Sequence, residues 1–195
     1  LMFIFADLSL PQTLEGWSEL DEDNPVHRAT SYHSVHADTY LSEAAPSSTY
    51  NTSESGTLAD GVGQQSRILL RFPMNFTQSD TVHEASIELQ CTTEILGAPE
   101  LKAYVAEIKE VWNGSFASWN VFENNQLWDV AGAEGGTDRG AWEPSTSLIG
   151  NGTLTLNVTS LAQQASRSNA PHLSVVVASY GAEYDCAMSE SIVAA

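Results

Sequence analysis

The sequence predicts an all-β protein, a jelly-roll β-sandwich with an extended N-terminal strand. Apolar residues recur in short runs with a two-residue period, the signature of strands that bury one face. These runs lie about 8–15 residues apart, separated by clusters of Gly, Ser, Asn and Pro. Helical spacing is confined to one short segment. A chain of 195 residues, 42% of them hydrophobic, is long enough to enclose a full core between two sheets. No internal repeat or second domain interrupts the pattern.

In chain order, residues 1–10 (LMFIFADLSL) read as an apolar strand. Its alternate positions Met2, Ile4, Ala6, Leu8 and Leu10 are expected to face a core, with Leu1, Phe3 and Phe5 covering a second surface. The stretch has no basic flank and does not begin with Met, so Leu1 reads as a processed terminus. Residues 11–36 are acidic (Glu15, Glu19, Asp21, Glu22, Asp23), contain Pro25 and show no alternation, and read as a linker. The domain proper is expected at 37–195. In it, 67–72 (RILLRF) is a compact apolar run closed by Pro73. Ala85, Ile87, Leu89 and Cys91 share one face of 85–91. The alternation is looser over 101–111 and clear again at 153–158. Residues 159–167 form the helical candidate, with Thr159 or Ser160 as a cap. The β-branched run 173–178 (LSVVVA) is apolar enough to be buried on both faces. Polar loops are expected at 42–56 and 128–144.

The charge balance narrows the functional classes. Twenty-five acidic side chains against seven basic ones give a net charge of −18. Such a surface repels phosphate backbones and anionic lipid headgroups, which argues against nucleic-acid and membrane-surface partners. No apolar stretch approaches the roughly 20 residues of a membrane span. Cys91 and Cys186 are 95 positions apart, with no CxxC spacing. In an exported protein that pair reads as one disulfide, worth ~4 kcal/mol by loop closure, the alternative being two buried thiols. Five sequons begin at Asn51, Asn75, Asn113, Asn151 and Asn157, where roughly two would arise by chance. Those of Asn113 and Asn151 carry the Asn-Gly pairs of exposed turns. Cysteines and sequons together point to an extracellular or cell-surface protein.

No HExxH, GxSxG or Gly-rich phosphate loop is present, and the reading is non-enzymatic. His33 and His36 are three apart in a segment of strand character, which places them on opposite faces and not around a metal. No cofactor is required on this reading. Ca²⁺ is the candidate ion, held by loop carboxylates among Asp38, Asp60 and Asp138 at predicted strand ends, although each is also an ordinary turn residue. Of the five tryptophans, Trp112 and Trp119 are assigned to the core. Trp128 and Trp142 stay open between core and a platform for stacking on sugar rings.

The segments ADTYL (37–41), LADG (58–61), RILLRFPM (67–74), ASIELQC, WDVAGAEGGTD (128–138) and LTLNVTSLAQQ (154–164) follow one another in an order and spacing that resemble the DNRLRE domain. That domain is classed near carbohydrate-binding module family ninety-six and the archaeal disaggregatase-related modules. The resemblance covers about residues 37–191. It implies a jelly-roll sandwich in secreted and surface proteins, acting as a carbohydrate-binding or structural module without catalysis. Asn157 stands where the family usually has Asp, and only IVAA (192–195) remains where the family continues into a last strand. A domain short of its closing strand, with a spare apolar strand at 1–10, suggests head-to-tail assembly of identical subunits by strand donation, the alternative being that the strand folds back on its own domain. Binding of a polysaccharide is the alternative.

Overall fold

The computed structural model describes residues 3–9, 28–34, 36–74, 81–93, 100–148, 151–181 and 183–188. In chain order the strands are β1 (Phe3–Ser9), β2 (Arg28–Ser34), β3 (Ala37–Ser42), β4 (Ser55–Gly61), β5 (Gln64–Pro73), β6 (Thr81–Thr92) and β7 (Leu101–Glu107). There follow β8 (Val121–Glu123), β9 (Gln126–Leu127), β10 (Glu143–Leu148), β11 (Gly152–Asn157), the helix α1 (Thr159–Arg167), β12 (His172–Tyr180) and β13 (Tyr184–Ala187). The expected all-β architecture is present.

Eleven strands form one antiparallel sheet in the order β10-β7-β12-β5-β4-β13-β6-β1-β2, with β3 also beside β5 and β11 also beside β6. β4 turns the corner. Its first part, through Leu58, pairs with β13, and its last part, Ala59 to Gly61, pairs with β5. The sheet thus curls into two halves, and their inner faces share one core. Ile87, Leu89 and Leu156 from one half and Leu70, Phe72 and Val105 from the other belong to it.

A second core lies on the outer face of β5 and β12. Val175, Val176 and Val177 are all fully buried. Neighbouring strand residues point to opposite faces, so such a run needs cover on both sides. The outer cover is the loop-rich segment 108–142, whose Trp112, Trp119 and Trp128 pack with Leu41, Leu69 and Val176. The expected two-sided burial of this run is therefore explained by a third layer.

Two details differ from expectation. The acidic segment 11–36 is not linker throughout, because 28–34 forms β2, whose backbone pairs with all seven residues of β1. Alternation is a signal of one-sided burial, and a strand chosen by its neighbour's unpaired backbone need not carry it. The helix spans the expected residues, but neither Thr159 nor Ser160 caps it. The Thr159 hydroxyl is engaged with the backbone of Ala85, and Asn157 Oδ1 accepts from the Thr159 N–H at 3.0 Å.

Candidate functional site

Two features stand out: the position of β1 in the sheet, and a cavity beside Trp142.

β6 is contacted along three stretches. It pairs with β11 over 86–91, with β1 between 81 and 88, and with β13 at 91 and 92. β1 and β11 overlap at 86–88 and so occupy opposite edges of β6. β11 and β13 meet at Cys91 and are likewise on opposite edges. β1 and β13 therefore share one edge, end to end. On its other side β1 is paired along its length by β2. The first strand of the chain is thus an interior strand, and the slot it fills is bounded by β6 and β2. Ile4, Ala6 and Leu8 stand opposite Ile87, Ala85 and Val82. Those three partners are buried in the main core. Phe3, Phe5 and Asp7 stand opposite Glu88, Ser86 and Glu84, on the other face. The register shifts between Asp7 and Leu8, where β6 carries the extra residue His83. Ile4, Ala6 and Leu8 are the described members of the set expected to face a core; Leu1, Met2 and Leu10 lie outside the described residues.

Cys91 and Cys186 form the expected disulfide, with an S–S distance of 2.06 Å. They are direct cross-strand partners on β6 and β13. The bond therefore lies on the edge of β6 just beyond Phe3, the first residue of β1.

The cavity, of about 310 Å³, opens beside Trp142, Tyr104 and Tyr180, with Asp60, Gln65 and Glu134 among its polar lining groups. Arg67, on β5, also lines it and organises its wall. Its guanidinium donates to the Gly132 carbonyl and pairs with Glu134, and Glu134 also pairs with Arg139. Arg67 lies 5.9 Å and Arg139 4.2 Å from the Trp142 ring, so two cations border one indole. Burial lowers the pKa of Arg67, while Glu134 opposes that shift by favouring the charged form. Gly132, at φ +77°, has to be glycine: a Cβ there would stand 2.7 Å from the Trp119 ring. Arg71, four residues on, donates to the Trp112 carbonyl and lies 4.4 Å from its ring. These two arginines were not singled out from sequence. The available signal was a pair of cations four apart on one face of an otherwise apolar strand.

The remaining candidates fall as follows. Trp112 and Trp119 are core residues, as assigned. Trp128 is core as well and is withdrawn as a sugar platform, because it is 4% exposed and its Nε1 donates to the Ser118 carbonyl. Trp142 is half-buried at the cavity. The three aspartates are not gathered into an ion site. Asp138 is buried and accepts from the N–H groups of Asp129, Val130 and Gly135 at 2.8–3.1 Å, which makes it the organiser of its own loop. Asp38 is buried at the start of β3, and Asp60 lines the cavity. Among the described residues no group of three or more His, Cys, Asp or Glu could hold a metal ion.

His36 follows β2 and stacks on His172 at 5.4 Å; burial, then Arg71, then His36 itself lower the pKa of His172. Of the sequon asparagines, Asn113, Asn151 and Asn157 are exposed and Asn51 is half-buried. Asn75 lies outside the described residues. No helix of the described residues is long and apolar enough to cross a membrane. No protein-family model matches the chain, and no curated protein matches it.

Proposed function

We propose that this chain is an extracellular structural protein, a subunit of a filament or surface layer whose neighbours are joined by exchange of β1. The observation that carries the reading is the interior position of a strand tethered by a long connection. β1 is paired on both sides, yet 18 residues (10–27) separate it from β2. Fully extended, such a segment spans up to about 60 Å. In the single chain β1 occupies its own slot, and an identical slot on a neighbour offers the same backbone pairs and the same core. Exchange therefore needs no new interface, only a different path for the connection. Repeated head to tail, it does not close and yields fibres. A vacant slot would expose two unpaired strand edges over an apolar core, a surface that favours capture of another strand. The disulfide, the five sequons and the acidic composition support an extracellular setting. No catalytic role is assigned to any residue.

Electron microscopy and sedimentation of the full chain test this. The full chain should form fibres, and excess synthetic peptide of residues 1–10 should shorten them. Deletion of residues 1–10 should abolish them. Fibres unchanged by both treatments would overturn the proposal.

The cavity favours a second reading, binding of a polysaccharide. Trp142 and the two tyrosines offer apolar ring faces, and Asp60, Gln65 and Glu134 offer acceptors for sugar hydroxyls. On a glycan array, binding to one polysaccharide that is lost in Trp142→Ala supports it, and binding indifferent to that substitution rules it out.

A further inference from the structure

The shared edge of β6 gives the disulfide a role beyond general stability. In β13 the partners are Asp185↔Thr92 and Cys186↔Cys91. Continuing that register by two residues brings Met188 level with Leu89. β1 begins at the next position, Phe3↔Glu88. Both strands run antiparallel to β6 and are therefore parallel to each other. They form a single composite strand, with β13 supplying its first part and β1 the rest.

β13 is four residues long and meets β6 at only two of them. That two-residue ladder by itself resists sliding along β6 weakly, and the four pairs with β4 are the other hold on the register of β13. A slip of two residues keeps every side chain on its own face, so alternation alone does not forbid it. Slipped towards β1, the strand would bring Cys186 level with Leu89 and Met188 level with Ile87, the position that Ile4 occupies. An arriving strand would then have to start two residues further along β6, closer to the irregularity at His83. A covalent bond between Cys186 and Cys91 forbids that slip.

We infer that the Cys91–Cys186 disulfide is the register stop of the slot: by fixing β13 it sets which residues of β6 an incoming β1 can pair with. This rests on the strand-exchange reading for the identity of the incoming strand, a second copy of this chain. The register argument itself holds whether β1 comes from the same chain or a neighbour.

The test uses the full chain with p-benzoylphenylalanine in place of Phe5, irradiated and mapped by mass spectrometry. A mixture of isotopically heavy and light chains separates links within a chain from links between chains. In the oxidised protein the β6 links should centre on Ser86, the partner of Phe5. In Cys91→Val/Cys186→Val they should spread to positions two residues away. Because that variant removes the covalent link altogether, a second one keeps a disulfide and moves it. In Cys91→Val/Leu89→Cys, Cys186 can bond only two residues nearer the slot, and the links should move from Ser86 to Glu84. Links that remain centred on Ser86 in the relocated variant overturn the inference. Links to β6 that occur only within a chain leave the register stop intact and count against exchange between subunits. An absence of links to β6 in the oxidised protein removes both the slot and its stop.

Discussion

At the scale of single residues, the outer layer depends on Arg67. Its side chain is 6% exposed and is the donor for both the Gly132 carbonyl and Glu134. Replacement by methionine keeps much of the apolar stem but leaves Glu134 without one of its two cationic partners and the Gly132 carbonyl without this donor. Glu134 is about one-third exposed, which lets water soften the loss. Arg67→Met should therefore lower stability by about 2–3 kcal/mol in urea unfolding followed by tryptophan fluorescence. Arg67→Lys should recover little, because a single ammonium cannot replace a planar fork that bonds two acceptors and lies beside Trp119 and Trp142. A loss below about 0.5 kcal/mol in both variants would mean that apolar packing alone holds the loop. Asp138 illustrates the same scale from the other side. An acidic residue in a Gly-rich loop invites a cation reading, yet three backbone amides have already taken its oxygens.

At the scale of elements, the place of β1 between β6 and β2 makes a sharp demand on Ile4. That residue stands between Ile87 of β6 and His33 of β2, over the main core. Ile4→Asp would set a carboxylate opposite Ile87, which is fully buried in the main core, and should weaken the pairing of β1 with β6. Amide hydrogen exchange should then show the stretch 82–88 of β6 losing protection by about tenfold or more, while β5 and β12 change far less. Equal protection of β6 in the variant and the parent would show that β1 contributes nothing to that edge. β2 marks the limit of reading elements from pattern. Nothing in RATSYHS alternates, and only the presence of β1 beside it supplies the missing hydrogen-bond partners.

For the whole molecule, alternation and apolar runs were enough to place the sandwich, because burial of one strand face is a local property written with a period of two. The same locality made the inward face of 85–91, the doubly buried LSVVVA run and the helix at 159–167 readable. The isolation of two cysteines sufficed for their pairing. Other features depend on residues distant in sequence. Trp128 and Trp142 are alike as letters, and only the folding of 108–142 over β5 and β12 buries the first and leaves the second at a cavity. Arg67 becomes an anchor only when Gly132 and Glu134, some 65 residues away, reach it. The end-to-end meeting of β1 and β13 joins strands from opposite ends of the chain along one edge of β6. By itself the sequence determined which residues seek burial and with what period. The tertiary structure decided which backbone edges and polar atoms they meet, because those partners are set by chain topology and not by the local order of side chains.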